Sequence, residues 1–170
     1  MTYDEILGMY GNLKIKEADL SRVDPEGEFD GLYSDGKIYI RSDLPTTAVK
    51  ACTLAEEIGH YYTTAGNILD QNKIENRKQE RRARGWAYEL QVPIDALLEA
   101  YWAGIGSRYE LAEFLDVPEN FLQDALEYYK EKYGNCIGYH NYYINFDPLY
   151  ISEKIEIKKE KGRKRKRRTP

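Results

Sequence analysis

The stretch at residues 54–60 reads Leu-Ala-Glu-Glu-Ile-Gly-His and lies in an apolar-periodic segment, 48–62, that predicts a helix. On a helix, residues four apart share a face, so Glu56 and His60 point the same way, one turn apart. Glu57 lies about 100° further round the helix, next to that pair. This layout is typical of a zinc-site helix, in which two ligands accompany a carboxylate that acts as general base.

The first ligand position of this pattern holds a glutamate, whereas the common spelling is His-Glu-x-x-His. Carboxylate oxygens also bind zinc, at about 2.0–2.2 Å, so the stretch remains a candidate metal site. Taken alone, adjacent glutamates with a histidine one turn later are more often a solvated helix face. An apolar stripe beside them, which includes Ala51, Ala55 and Ile58, indicates that the helix packs against a core. Gly59 in mid-helix costs about 1 kcal/mol relative to Ala, which indicates close approach by another backbone or by a substrate.

Composition limits the class of protein. A chain of 170 residues with 42% hydrophobic residues favours one compact domain with a real core. The absence of a long apolar run and of a signal peptide predicts a cytoplasmic protein with no membrane partner. Its two cysteines, Cys52 and Cys136, argue against a disulfide scaffold. Because the chain has only two histidines, His60 and His140, any zinc site within it must use carboxylates.

Charge is distributed unevenly along the chain. The segment 158–168 holds nine basic residues and one acid, a net charge of +8. The rest of the chain holds 16 of the 25 basic and 28 of the 29 acidic residues, a net charge of −12. We expect 152–170 to be a disordered basic tail, since it has little apolar content. Its expected partner is nucleic acid or another acidic surface, and the alternative is a solubilising tail with no partner.

Short local signals predict further elements. Capping boxes at 2–5 and 107–110 each open a helix, and an Asp-Gly turn within 31–40 predicts a hairpin. The segment 107–134 resembles a helix-turn-helix in outline, but its second helix is so acidic that phosphate would repel it. We therefore interpret this segment as a packing unit. Aromatic and β-branched residues over 139–151 predict one or two strands, with His140 as an ordinary strand residue.

A second long helix is predicted over 74–92. Glu80 precedes Ala83 by three positions and Ala87 by seven, so the three share the buried face. A charged side chain there needs either a metal or an oppositely charged partner. The candidate partners are the neighbouring arginines: Arg81, Arg82 and Arg84.

Together these residues resemble the ImmA/IrrE family of metallo-endopeptidases, which occur in phages, integrative elements and their bacterial relatives. The resemblance covers most of the chain, from the hairpin to about residue 151. Its first piece is the hairpin followed by the 54–60 stretch. The second is Gln-Glu-Arg-Arg-Ala-Arg-Gly-Trp-Ala at 79–87, continuing to a Val-Pro pair at 92–93. The third is Leu-Ala-Glu-Phe-Leu-Asp-Val-Pro at 111–118.

The resemblance implies an α+β, zincin-like metalloprotease domain over 1–151, with a small antiparallel sheet, a helical bundle and a C-terminal helical hairpin. It implies Glu56, His60 and Glu80 as metal ligands and Glu57 as the catalytic base. The implied cofactor is Zn²⁺, and two carboxylates with one imidazole also suit Mn²⁺ or Fe²⁺. The implied partner is a protein substrate, a helix-turn-helix transcriptional repressor, whose cleavage derepresses a phage or integrative element.

Two other functions fit the same residues. A binding module with this fold would inactivate a repressor without cleaving it, and its metal would be structural or absent. A nucleic-acid-associated protein would make a salt-dependent contact through 158–168. Glu57 distinguishes the peptidase from the binding module, because a peptidase needs a base and a binding module does not. In a peptidase, Tyr61 or Tyr62 would help to hold the oxyanion, and the sequence does not choose between them.

Overall fold

The computed structural model describes residues 1–63 and 74–155. The predicted tail lies outside the described residues from 156 onward, as does the predicted end of the motif helix at 66–67. None of the helices in the described ranges is long and apolar enough to cross a membrane. In chain order the elements are α1 (Tyr3–Met9), β1 (Lys14–Ala18), β2 (Gly31–Ser34), β3 (Lys37–Arg41), α2 (Thr47–Thr63), α3 (Ile74–Gln91), α4 (Ile94–Trp102), α5 (Arg108–Leu115), α6 (Glu119–Tyr133), β4 (Cys136–Tyr139), β5 (Tyr142–Phe146) and β6 (Leu149–Glu153).

The first sheet has the strand order β1-β3-β2 and is mixed rather than antiparallel. Strands β2 and β3 form the predicted hairpin, with Asp35 and Gly36 at φ values of 51° and 70°, as a primed two-residue turn requires. Strand β1 pairs with β3 in parallel, and Ile15 lies opposite Ile38. The prediction of an antiparallel sheet was therefore wrong for β1. Strand β3 lies between β1 and β2, antiparallel to β2 and parallel to β1.

Helix α2 packs across the first sheet. Ile38 and Ile40 of β3 are buried against Leu54 and Ile58 of α2, and Ile6 of α1 joins the same cluster. Removing an aliphatic side chain of this size from water contributes about 1.5–3 kcal/mol, so the cluster fixes α2 on the sheet. The capping box of α1 is formed as predicted, by reciprocal hydrogen bonds between residues 2 and 5.

Helices α2 and α3 pack against each other through small residues. A Cβ built at Gly59 would lie 2.4 Å from the carbonyl oxygen of Ala83, far inside van der Waals contact. Ala55 of α2 and Ala87 of α3 are fully buried beside this crossing. Of the two alternatives that the sequence left open at Gly59, another backbone or a substrate, the structure shows the backbone of Ala83. This approach decides which side chains of the two helices meet.

The second sheet, β4-β5-β6, is antiparallel throughout and follows the helices. Its inner face buries Ile144 and Phe146 in one core with helices α3–α6. Within that core the hydroxyl of Tyr129 donates a 2.8 Å hydrogen bond to the carbonyl oxygen of Val92. The helical part of the chain and the second sheet therefore share a single core.

The second sheet differs in three ways from the sequence-based expectation. It has three strands where one or two were predicted. His140 lies in the turn between β4 and β5, at φ 48°, rather than within a strand. Strand β6 continues to Glu153, so it includes two residues that were assigned to the tail. The pairing of β6 with β5 explains the last difference, because the cross-strand partners extend to Glu153 opposite Tyr142.

Candidate active site

The candidate site lies where the second half of α2 faces α3. Helix α2 carries Glu56, Glu57 and His60, and helix α3 carries Glu80. The close approach at Gly59 brings His60 against α3, where its Nε2 atom lies 3.3 Å from Oε2 of Glu80. Two predicted site residues from different helices are therefore direct neighbours.

Glu80 uses both of its carboxylate oxygens. Oε2 faces His60, and Oε1 accepts a 2.7 Å hydrogen bond from Nε of Arg84, one turn later on α3. The hydrogen bond with His60 is the main reason why the pKa of Glu80 lies below its ordinary value. Burial acts to lower the pKa of His60, but the hydrogen bond with Glu80 and the surrounding carboxylates outweigh it and raise that pKa. Of the arginines proposed as partners of Glu80, Arg84 is the one that binds it.

Glu56 lies partly buried beside this pair. Burial raises the pKa of Glu56, the charge of Arg84 acts to lower it, and the charge of Glu80 raises it further. In residues 1–63 and 74–155, no three His, Cys, Asp or Glu side chains stand in an arrangement that holds a metal ion. The structure thus joins His60 to Glu80 and places Glu56 within electrostatic range of both.

Glu57 lies next to His60 on α2, on the side that packs against strand β2. It is 9% exposed, and a Cβ built at Gly31 would lie 2.7 Å from its Cγ and Oε1 atoms. Burial raises the pKa of Glu57 to about 7; the charge of His60 acts to lower it, and those of the other site carboxylates raise it. The backbone N–H of Tyr33 also acts to lower it. A carboxyl group with this pKa exchanges protons readily near neutral pH.

The model of a peptidase family, described as the IrrE N-terminal-like domain, matches residues 12–127. The chain belongs to the ImmA/IrrE family. The matched range includes α2 and α3, which carry the site, and ends before the second sheet. No curated protein and no solved structure matches the chain significantly. Family membership supports a metallopeptidase role in a zincin-like α+β domain, and the family is generally zinc-dependent.

The residues of this ImmA/IrrE site suit a divalent metal ion. Tetrahedral zinc with bonds of about 2.0–2.2 Å keeps neighbouring ligand atoms about 3.4 Å apart. The Nε2–Oε2 distance between His60 and Glu80 is 3.3 Å. Glu56 and Glu80 share the single guanidinium of Arg84, and Glu57 lies within electrostatic range of both carboxylates. When all are ionised, this excess of negative charge favours a bound cation. The donor types therefore suit zinc, and the spacing of His60 and Glu80 is that of two neighbouring zinc ligands, but within the described residues no third donor completes the group.

Two tyrosines follow His60 at the end of α2. The ring of Tyr61 lies 5.7 Å from the ring of Tyr33 on β2, the strand that contacts Glu57. The ring of Tyr62 lies 6.0 Å from that of Trp86 on α3. Both rings are partly exposed. This placement favours Tyr61 over Tyr62 as a hydroxyl donor near Glu57, a choice that the sequence left open.

The sequence analysis missed the residues that enclose the carboxylate of Glu57. Thr53 precedes Glu57 by one helical turn, and that spacing was a usable signal for a shared face. Its Cγ2 atom would lie 2.9 Å from a Cβ at Gly31. Gly31 and Tyr33 belong to β2, and no local pattern in the hairpin indicates which helix the strand contacts. The tertiary contact between β2 and α2 is therefore what completes the surroundings of Glu57.

Proposed function

We propose that the protein is a zinc-dependent endopeptidase that cleaves a transcriptional repressor in the cytoplasm and so derepresses a phage or integrative element. The observation that best supports a peptidase reaction is the buried carboxylate of Glu57 beside the His60–Glu80 pair. Membership of the ImmA/IrrE family supports it. The repressor as substrate is proposed from the resemblance to that family.

In this proposal Glu56, His60 and Glu80 hold the metal ion, and Glu57 is the catalytic base. When bound, the ion supplies a Lewis acid for the scissile carbonyl and lowers the pKa of a water molecule. Glu57 takes the proton of the attacking water on a carboxylate oxygen and delivers it to the leaving amine. Such transfers are most efficient when the pKa of the carboxyl group lies near the working pH, and burial raises the pKa of Glu57 to about 7.

Strand β2 offers a place for the substrate backbone. It is an edge strand of the first sheet, and within the described residues its outer side pairs with no other strand. Extended peptides bind such edges by adding a strand through main-chain hydrogen bonds. Because Gly31 and Tyr33 of this strand contact Glu57, a peptide on the β2 edge would be held close to the base. A hydroxyl from Tyr61, next to Tyr33, is placed to donate toward the developing oxyanion.

One observation favours a second function, a binding module that inactivates a repressor without cutting it. Arg84 donates to Glu80, one of the proposed ligands, and a guanidinium in this position neutralises a carboxylate without a metal. In such a module Glu56, His60 and Glu80 would form a polar network that fixes α2 against α3. The peptidase remains the better account, because a network of this kind does not require the buried Glu57 beside it.

The decisive experiment compares the wild type with Glu57→Gln, which keeps the size of the side chain and removes the base. Both proteins, loaded with zinc, are incubated with a bacterial-proteome peptide library, and new termini are identified by mass spectrometry. Candidate helix-turn-helix repressors are tested in parallel on gels. We expect cleavage to fall by about 10²–10⁴-fold in Glu57→Gln, the range typical of general-base loss.

The same Glu57→Gln variant is also assayed for repressor inactivation at the target promoter. If this variant derepresses the promoter as well as the wild type does, while the repressor stays intact on a gel, the protein is a binding module. In that case the enzyme proposal is wrong, although the family assignment stands.

A further inference from the structure

A cleft lies on the side of α3 that faces away from the candidate active site. Its volume is about 480 Å³, within the range of about 300–1,000 Å³ that is typical of small-molecule sites. Lys78 and Arg82 of its lining stand two positions before and after Glu80, and two positions turn a helix by about 200°. The cleft is therefore separate from the proposed metal site. We name it the cationic cleft; its lining includes Lys78, Arg81, Arg82, Trp86, Glu89 and Tyr128.

Two aromatic rings form walls of the cationic cleft, and packing holds both in place. The ring of Trp86 on α3 lies 5.8 Å from the ring of Tyr10 and 6.0 Å from that of Tyr62. The ring of Tyr128 on α6 lies so close to α3 that a Cβ built at Gly85 would be 2.6 Å from its Cε2 atom. Both rings are partly buried. The walls are thus preformed, as they are in most small-molecule sites.

Three cations line the cleft. Lys78 and Arg82 have no ion-pair partner in the part of the chain that the structure describes. Arg81 pairs with Glu131 of α6, but both side chains are more than half exposed, so the solvent weakens this pair. Because residues 1–157 hold 16 basic and 28 acidic residues, a group of available cations is unusual there. An anion would be attracted to this part of the surface.

The one carboxylate of this lining, Glu89, is already compensated. Its Oε1 atom accepts hydrogen bonds from Nζ of Lys132 and from the hydroxyl of Tyr128. The charge of Glu89 is therefore balanced by a cation that does not belong to the lining. An anion that binds Arg82 and Lys78 would meet little repulsion from it.

We propose that the cationic cleft binds a free nucleotide, a single nucleoside phosphate. Guanidinium and ammonium groups bind phosphate oxygens through charge-assisted hydrogen bonds, and Arg82 and Lys78 supply these groups. Nucleobases stack on aromatic rings, and Trp86 and Tyr128 supply the rings. A cleft of this volume suits one small molecule rather than a nucleic-acid strand. The proposal is independent of the peptidase reaction, because the residues of the cleft are not those of the metal site.

The test titrates adenosine diphosphate into the full chain and follows tryptophan fluorescence. The chain has two tryptophans, so Trp102→Phe leaves Trp86 as the only one. Trp102 is 61% exposed near the end of α4, and the change to phenylalanine should leave the fold intact. In this background Arg82→Gln is compared with Arg77→Gln. Arg77 is the matched control because it is an exposed arginine of the same helix that does not line the cleft.

We expect adenosine diphosphate to quench Trp86 along a saturable curve. Arg82→Gln should weaken binding about tenfold or more, because the contact that it removes is charge-assisted. Arg77→Gln should bind within about twofold of the parent chain. Adenosine lacks phosphates and inorganic phosphate lacks a ring, so each should bind at least tenfold more weakly than the nucleotide. Circular dichroism checks that each variant folds, and a chelator that removes zinc should leave the affinity unchanged.

Five results would overturn the proposal. Quenching that rises linearly without saturation would show that no site exists, and equal affinities of Arg82→Gln and Arg77→Gln would place the phosphates elsewhere. Loss of binding after zinc removal would assign the phosphates to the metal site. Inorganic phosphate or polyglutamate that competes as well as the nucleotide would identify a site for simple anions or for acidic peptides. Much tighter binding of oligothymidine would identify a surface for a nucleic-acid strand.

Discussion

In the first sheet, Gly31 lies against the buried carboxylate of Glu57, whereas in the second sheet Gly138 lies beside Tyr143 on a face open to solvent. Glycine therefore has a different structural role in each of the two sheets. At Gly31 the missing side chain makes room for the carboxylate of Glu57, the proposed base on α2. At Gly138 it makes room for the end of the Lys154 side chain, which extends over the ring of Tyr143. The role of a glycine in this fold therefore depends on which atoms a Cβ at its position would contact.

Gly59, at the crossing of α2 and α3, adds a third case, in which the nearest neighbour of a built Cβ is backbone. Gly59 and Gly31 both face atoms closer than 3.0 Å to a built Cβ, but at Gly59 the nearest atom is a backbone carbonyl oxygen, which moves only with its helix. At Gly138 the nearest atom is Nζ of Lys154, at 3.1 Å, the end of a flexible side chain. The cost of adding a methyl group should therefore fall in the order Gly59, Gly31, Gly138.

Gly59→Ala should have the largest effect. The new methyl group would overlap the backbone of Ala83, so α2 and α3 must separate and the contact between His60 and Glu80 is lost. We expect the free energy of unfolding to fall by about 3 kcal/mol, at the upper end for overpacking. Urea denaturation measures this change. Gly8→Ala in α1 is the matched control: it has no neighbour within 4 Å of a built Cβ, and it should stabilise the protein slightly. Equal effects of the two changes would contradict the packing account.

Gly31→Ala should affect catalysis more than stability. The methyl group would meet Cγ and Oε1 of Glu57 at 2.7 Å, so the carboxylate must shift, while His60 and Glu80 stay in place. We expect peptidase kcat/KM to fall tenfold or more with unchanged metal content, and the free energy of unfolding to fall by about 1 kcal/mol. Steady-state kinetics and metal analysis of the same sample check this. Full activity would show that Gly31 does not position the base.

Gly138→Ala should have the smallest effect. Lys154 can move away from the new methyl group, and alanine loses less backbone entropy than glycine when the strand forms. We expect the free energy of unfolding to stay within about 0.5 kcal/mol of the wild type, as for most surface substitutions. Thermal denaturation measures it. A loss as large as that of Gly59→Ala would show that the second sheet is packed as tightly as the site.

Local sequence signals predicted the elements that hold the site. The Asp35-Gly36 turn, the capping box of residues 107–110 and the helical period of the 48–62 stretch are all present in the structure, because each depends on neighbours within one turn. The helix period also placed Glu56, Glu57 and His60 correctly relative to one another. Gly59 was recognised as a contact point, although the identity of its neighbour was not.

The features that escaped prediction depend on contacts between distant parts of the chain. The parallel pairing of β1 with β3 joins strands that are separated in the sequence by β2, and no local pattern encodes it. The contact of Gly31 with Glu57 is likewise set by how β2 packs on α2. Glu80 was predicted on the buried face of α3, but only the structure shows that it binds both His60 and Arg84.

The central claim is that Glu56, His60 and Glu80 hold a metal beside a base that does not itself bind it. Inductively coupled plasma mass spectrometry of the purified protein, after zinc loading and dialysis, tests this directly. We predict about one zinc ion per chain in the wild type and in Glu57→Gln, and a loss of zinc in His60→Ala, because each ligand contributes to affinity. Circular dichroism of His60→Ala separates loss of a ligand from loss of fold. Full zinc occupancy in a folded His60→Ala would contradict the account.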